Sequence, residues 1–537
     1  MTITGGGTTF FQRRVLFAVA LVITLPCLPG RGAQAQAPAQ IAGLTTSKTP
    51  AAAPPVLSTV VVDGSTAYDA ARLFVAYRDQ LGRPITRDGA RAIVDALLAL
   101  YDRGGYVRPE IRLDDSMTGR GVLRVRVSEA QVSNVVFEGD AGRYQAQLEE
   151  IGARLQAARP LRRDDVPDAL RAMRQMAGLT ITASTRKDPE LSNAFELVVK
   201  SDFSSVDGVV RMNNRGTDQV GPGFVLGQLF ANGLLGRQDK IGLIAAAASD
   251  PEEYLGGGLY ADIGLGDAGT HGSALLFRSH SAPNERPFNF DDEYRRDRVA
   301  LRVTHPLSQD SASSLSLGAA FDADDLVIER SGFAIREERL RIFETGLRGT
   351  WRSSGATQYS ANLLLRKGVD AFGAGLQAHD LAHDRRRADF LLTQFSSTVY
   401  RRFAVDWSVR LDAFAQHSGY VLPDVERFKI GGDRLGRGFE VAEIAGDRGV
   451  GGKLELRRDL VSTQGLLGRL STYGFYDVGA AWKQDRPGRE SAATAGTGFA
   501  LQGASVTGYI EVAKPLTGAD IEGKHRASVF AELSYRF

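Results

Sequence analysis

Two periodicities divide the chain near residue 205. Before it, segments of helical spacing are interleaved with short alternating runs; after it, apolar and polar positions alternate almost throughout. In the first part the pattern predicts a strand over 57–62, helices over 67–80 and 87–101, and strands over 108–113 and 122–127. Thr86-Arg87-Asp88 supplies a cap for the second helix, and Gly104-Gly105 stops it. The same β-α-α-β-β order returns immediately downstream, with a strand over 132–137, helices over 144–157 and 163–176, and strands over 179–184 and 194–200. Repeated units of this kind each close a small core of their own.

From Val206 to Phe537 the period of two dominates. In Val405-Asp406-Trp407-Ser408-Val409-Arg410-Leu411-Asp412-Ala413 every odd position is apolar and every even one polar; Tyr359-Ser360-Ala361-Asn362-Leu363, Leu315-Ser316-Leu317 and Leu454-Glu455-Leu456-Arg457 repeat the pattern. A soluble sandwich would need a second apolar face to cover the first, whereas the polar face here carries many charges suited to a watery lumen. Segmentation gives a transmembrane barrel of about sixteen antiparallel strands. Links at 281–294, 322–336, 368–385, 418–451 and 483–493 follow odd strands and read as outer loops; links such as 266–269 and 352–355 follow even strands and read as turns. Trp351, Trp407 and Trp482 fall near strand ends, as an interfacial girdle requires. The fold class expected is therefore two α/β modules followed by an all-β transmembrane barrel.

Composition changes this picture at the N-terminus. Arg13 and Arg14 precede an apolar run over 15–25, and Ala33-Gln34-Ala35-Gln36-Ala37 follows, the pattern of a cleaved secretory leader. The organisation expected is a signal peptide at 1–37, a linker at 38–56, modules at 57–130 and 131–203, and the barrel at 206–537. Cys27, the one cysteine, would leave with the leader, so the exported chain has no thiol chemistry. The Pro/Ala-rich linker contains no convincing amphipathic helix, and no helical plug, or only a short one, is expected from it. The chain of 537 residues holds 65 Lys+Arg against 63 Asp+Glu, a net charge of +2 that argues against bulk nucleic-acid binding.

Enzymatic constellations are thin. His379-Asp380-Leu381-Ala382-His383 places two histidines at helical spacing, but it sits in an expected outer loop and lacks the general-base Glu of a zinc helix. The run 431–438 is Gly-rich yet lacks the Lys-Ser/Thr ending of a phosphate loop, so no metal, nucleotide or other cofactor is expected.

Two other segments carry more. The longest link contains Phe428-Lys429-Ile430-Gly431-Gly432-Asp433-Arg434-Leu435-Gly436-Arg437-Gly438-Phe439, in which glycines on both sides of Arg437 permit a tight turn that projects its guanidinium as a bidentate donor. Two strands on comes Phe475-Tyr476-Asp477-Val478-Gly479. Parity turns Tyr476 and Val478 to lipid and Phe475, Asp477 and Gly479 to the lumen, where a carboxylate facing an inserted arginine makes a natural lock.

The residues 101–106 (Tyr-Asp-Arg-Gly-Gly-Tyr), 123–130 and 132–139 resemble tandem polypeptide-transport-associated (POTRA) domains. With Arg437-Gly438-Phe439 after the eleventh strand and Phe475, Asp477 and Gly479 on the thirteenth, the whole exported chain resembles the two-partner secretion transporters (TpsB, the ShlB/FhaC/HecB-like haemolysin secretion/activation proteins) of the BamA-like superfamily. The ending Tyr535-Arg536-Phe537 resembles the signature by which such barrels are recognised for assembly.

The resemblance implies an outer-membrane transporter, not an enzyme, that secretes a large partner polypeptide of adhesin or cytolysin type. It also implies contacts with outer-membrane lipid and with the barrel-assembly machinery. Arg437 would pair with Asp477 and pin the loop in the lumen. Insertion of other outer-membrane proteins is the alternative. Client chains would add to exposed sheet edges at Arg108, Glu110 and Arg112 and at Thr180, Thr182 and Ser184, unless the modules are spacers.

Overall fold

The structure is a computed structural model. It describes residues 55–537 apart from short stretches at 115–119, 218–219, 267, 284–291, 311, 354–355, 379–384, 463–467 and 519–525. The expected leader with Cys27, nearly all of the linker with its question of a plug helix, and the His379–His383 segment lie outside the described residues.

The first module runs β1 (Thr59–Asp63), α1 (Ala70–Phe74), α2 (Arg87–Arg103), β2 (Glu110–Asp114) and β3 (Val122–Ser128). Its sheet order is β1-β3-β2, parallel between β1 and β3 and antiparallel between β3 and β2. Helix α2 starts where the Thr86 hydroxyl accepts the Gly89 N–H at 3.0 Å, and it lays Ile93, Val94, Leu97 and Tyr101 on the sheet. Each such side chain gains roughly 1.5–3 kcal/mol by leaving water. The helix expected over 67–80 is only the five residues of α1 followed by a 3-10 turn at Arg78–Gln80. Its beginning is taken by Glu129, whose Oε1 accepts the backbone N–H groups of Thr66 and Ala67 at 2.9 Å, so the helix starts after Asp69.

The second module repeats the order with β4 (Gln131–Gly139), α3 (Gln145–Ala157), α4 (Asp165–Arg174), β5 (Leu179–Lys187) and β6 (Ala194–Phe203), and its sheet order is β4-β6-β5. Tyr144, Leu148, Met173, Leu197 and Val199 fill its core. The modules are joined along the Gly-Gly turn: Val107 N–H donates to Leu161 O at 3.0 Å, and Arg163 N–H to Gly105 O at 3.0 Å. Gly105 takes φ +77°, and a Cβ at Gly104 would lie 2.0 Å from the Tyr68 hydroxyl, so this turn needs both glycines.

The barrel opens with β7 (Val206–Asn213), β8 (Phe224–Asn232), β9 (Lys240–Ala248), β10 (Leu255–Gly264) and β11 (His271–Ser281). It continues with β12 (Asp292–Gln309), β13 (Ser313–Arg330), β14 (Phe333–Arg352) and β15 (Thr357–Gly368), and a four-residue strand β16 (Gly375–Ala378) sits beside β14. After β17 (Leu391–Arg402) and β18 (Trp407–Ser418), an inserted ribbon is formed by β19 (Phe428–Ile430) and β20 (Ile444–Gly446). The wall resumes with β21 (Arg448–Ser462), β22 (Arg469–Trp482), β23 (Glu490–Gln502), β24 (Val506–Pro515) and β25 (Ser528–Arg536). The sheet closes as a barrel of 16 spanning strands, in agreement with the count read from alternation.

Alternation supplies the reason for closure. Register aligns Leu317 with Leu347 and Leu347 with Leu363, and likewise Leu411 with Leu454 and Leu454 with Tyr476, in outward apolar rows. Inward positions hold the buried charges Asp322, Asp324, Glu344, Asp412, Asp477 and Glu511. The closing seam is short: β25 meets β7 over five residue pairs, from Glu532↔Asn213 to Arg536↔Val209. Below it Phe537 exchanges two backbone hydrogen bonds with Gly208, whose missing Cβ leaves room for the Phe537 ring.

One expected outer loop is absent. Residues 322–336 are not a loop but the continuous upper parts of β13 and β14, joined by a two-residue tip at Ser331 (φ 50°) and Gly332 (φ 80°). Asp322 and Asp324 point inward, where they meet Arg298 and Arg296. Two other links are shorter than expected, because β21 begins at Arg448 and β23 at Glu490.

Candidate functional site: the inserted loop

The link between β18 and β21, residues 419–447, turns into the barrel. Its two ends are tied together by Asp447, fully buried, whose carboxylate accepts the N–H of Leu422 at 2.8 Å and of Gln484 at 2.7 Å. Between them β19 and β20 pair over three residues, and the tip 431–439 folds back on this ribbon. Gly431 (φ 118°), Gly432 (φ 92°) and Gly436 (φ 83°) make the reversal; a Cβ at Gly431 would meet Glu440 O at 1.8 Å. Phe428, Ile430, Leu435 and Phe439 pack with Ala481 and Ala492 of the wall.

The wall accommodates the tip by lacking side chains. A Cβ at Gly449 would lie 2.0 Å from the Phe428 ring, one at Gly451 2.3 Å from Leu435, and one at Gly479 about 3.0 Å from both Ile430 and Leu435. Gly438 is equally confined, 2.9 Å from Thr494 and 3.0 Å from the Pro515 backbone. Gly438 and Gly479 are thus seats, where a larger residue would push the loop off the wall.

Arg437 is the polar end of this contact. Nη2 donates to Asp477 Oδ1 at 2.9 Å and Nε to Asp477 Oδ2 at 3.1 Å, the bidentate fork geometry. The backbone N–H groups of Gly436 and Arg437 reach the same Oδ2 at 3.2 Å. Nη1 reaches Glu455 at 3.2 Å and Glu511 at 3.5 Å, and the guanidinium carbon lies 3.5 Å from the Phe475 ring centroid. Arg437 is 6% exposed and Asp477 0%, so both charges have left bulk water and each relies on the other. Phe439 does not join this cage; it packs in the apolar cluster with Phe428, Ile430 and Leu435.

Several members of the site were not visible in the sequence. Glu455 and Glu511 each stand in an ordinary alternating strand, and only the register of β21, β22, β23 and β24 brings them beside Asp477. Tyr473 holds Glu511 through its hydroxyl at 2.8 Å. Arg215, just beyond β7, donates to the Tyr509 hydroxyl at 2.7 Å, pairs with Glu511, and reaches the Arg437 carbonyl at 3.4 Å.

The edge residues have unequal surroundings. Thr180, Thr182 and Ser184 are exposed on β5, which among the described residues pairs only with β6. Glu110 and Arg112 lie on the outer strand β2 and pair with each other at 2.7 Å. Arg108 precedes β2 and forks onto Asp102, which also pairs with Arg163 of the second module, so it belongs to the module junction.

Periplasmic-type α/β modules in front of a closed barrel whose lumen holds a pinned loop define an outer-membrane transporter of polypeptides. Residues 197–503 match the family described as haemolysin secretion/activation protein ShlB/FhaC/HecB, and the chain belongs to that family. It is 23% identical over 420 residues to the outer membrane transporter CdiB of Escherichia coli, covering 73% of this chain and 67% of that one. The fold is similar to the solved CdiB of Escherichia coli (TM-score 0.73, 18% identity, 92% of this chain and 93% of that one) and of Acinetobacter baumannii (0.64, 14%, 94% of each). BamA from Haemophilus ducreyi lacking POTRA domains 1-3 matches at a TM-score of 0.51, 14% identity, over 90% of this chain and 100% of that one.

Proposed function

We propose that this chain secretes one large partner polypeptide across the outer membrane, with the Arg437–Asp477 pair holding the lumen loop in its closed position. The observation that carries the reading is the desolvated fork between Arg437 and Asp477, backed by Glu455 and Glu511. A buried pair whose halves lie on separate segments is costly to break by substitution, yet it lets go as a unit when a competing chain supplies alternative partners.

The leader and linker at 1–56 would deliver the chain to the periplasm. The modules at 57–130 and 131–203 would present β2 and β5 to an extended client, most directly through Thr180, Thr182 and Ser184, and the barrel at 206–537 would conduct it. Its lipid-facing rows would contact outer-membrane lipid, and its final strand would be read by the barrel-assembly machinery. The chain works as a transporter rather than an enzyme, and folding of the client outside would give direction.

Co-expression with a candidate client, a large exported protein encoded in a neighbouring reading frame, tests this. Client in the supernatant with wild type, and little or none with Arg437→Ala or Asp477→Ala at equal barrel levels, is expected. Client absent throughout, with other outer-membrane barrels assembling poorly on depletion, would replace secretion by insertion.

A further inference from the structure

The loop has a second charged contact on another part of the wall, at β15, which β17 and β18 separate from β21. Just before β19, Glu426 reaches β15, where Arg366 Nε donates to Glu426 Oε2 at 3.0 Å and Nη2 to Oε1 at 3.0 Å. The two side chains are 12% and 10% exposed. Arg366 also meets Glu344 and, at 3.3 Å, Asp322, and these carboxylates are in turn held by Arg302 at 2.9 Å and Arg298 at 3.1 Å. Beside this cluster, Asp424 pairs with Arg336 at 3.0 Å. The backbone carbonyl of Glu426 accepts from Gln416 at 2.8 Å, which ties this point of the loop backbone to β18.

The polarities of the two contacts are reversed. At the tip the loop offers a base to acids on β21, β22 and β24; at the shoulder it offers acids to bases on β14 and β15. Between these ends the ribbon of the loop packs against the inner side of the wall at Phe414, Ala481 and Ala492.

We propose that the loop is clasped at both ends, and that Glu426 and Arg366 form a second clasp whose release is required for the widest opening of the lumen. The proposal rests on the reading of the loop as the gate. Breaking the tip alone leaves the loop tethered to β14 and β15, still obstructing part of the lumen. Glu426→Gln keeps the size and one acceptor but removes the charge, and Arg366→Lys keeps the charge toward Glu344 and Asp322 but loses the fork.

The test is single-channel recording of the full-length protein in planar bilayers, with heat-modifiable migration confirming an assembled barrel. Arg437→Ala should open to an intermediate level, and Arg437→Ala with Glu426→Gln to a higher one. Glu426→Gln alone should raise the opening frequency about tenfold or more, as loss of one hydrogen bond to a charged group would. If Glu426→Gln does not assemble, Arg366→Lys in the Arg437→Ala background should give the same higher level. A tip variant that already reaches the full level, with nothing added by either shoulder variant, overturns the second clasp while sparing the gate. Tip variants with unaltered conductance and unaltered secretion overturn the gate itself.

Discussion

In the first module the side chains without solvent contact are Leu97, Tyr101 and Val125; in the barrel they include Asp477, Asp447 and Thr494. Both regions are sheets, yet one hides oil and the other hides charge. The modules face water on all sides and draw their stability from apolar burial. The outer face of the barrel meets hydrocarbon, so its apolar rows need not leave lipid, and the loop in the lumen is held by ion pairs, by the apolar cluster around Ile430 and by glycines that let backbones approach. Damage to one region should therefore leave the other standing, and the chemistry of damaging substitutions should invert between them.

The largest effect is expected at Asp477→Ala. It strands Arg437 without its main acceptor, a change that costs about 3–5 kcal/mol in a buried pair. It should yield assembled barrels with frequent spontaneous openings in bilayer recordings, while hydrogen exchange over 59–128 stays at wild-type rates. A closed, quiet channel would remove the charge-based account of the lumen. Next, Leu97→Ala should cost the first module about 2–5 kcal/mol. Faster exchange over 87–128 is expected with unchanged barrel migration on gels, and coupled loss of both would show that the regions are not separable.

The sharpest contrast lies in one strand. Ile510, 55% exposed, faces lipid and its neighbour Glu511, 2% exposed, faces the lumen. Ile510→Arg should destabilise the folded barrel in lipid by about 2–4 kcal/mol if it sits near the midplane. Glu511→Gln should instead change channel opening, because it removes the charge shared by Arg215 and Arg437; an unaltered channel would count against the assigned facing.

The smallest effect is a pH dependence of the first module. Burial would raise the Glu129 carboxyl, but hydrogen bonds from Thr66, Tyr101 and Ala67 outweigh it and hold the group below its ordinary value. A depressed carboxyl stabilises the fold above the unfolded value of about 4.3 and loses that contribution as pH falls through the folded one. Acid unfolding of the module, followed by Tyr fluorescence, should become shallower in Glu129→Gln, with a midpoint no lower than that of wild type and a reduced plateau stability near neutral pH; an unchanged acid limb would discount this carboxylate.

Much of this could be read from the chain because period and solvent are linked. Leu97 and Tyr101 stand four apart on α2, and Tyr476 and Val478 stand two apart around Asp477, so faces follow from spacing alone. The strand count came from the same alternation, and Arg437 and Asp477 stood out through the glycines and aromatics around them. What spacing could not supply was register. Glu455 and Glu511 join Asp477 only because three strand pairings stagger in a particular way, and Glu426 meets Arg366 across some sixty residues of chain. The loop expected over 322–336 is strand for the same reason, since the partners of Asp322 and Asp324, Arg298 and Arg296, lie on another strand.

The knot at Asp447, which joins Leu422 to Gln484, bears on how quickly the pore reseals. Because both stems of the loop stay anchored in the wall, a displaced tip never diffuses away; it meets its carboxylates at an effective concentration on the order of millimolar or higher, as short tethers give. Reclosure is then a first-order event independent of how many copies the cell makes, and a cell would recover its permeability barrier between one client and the next.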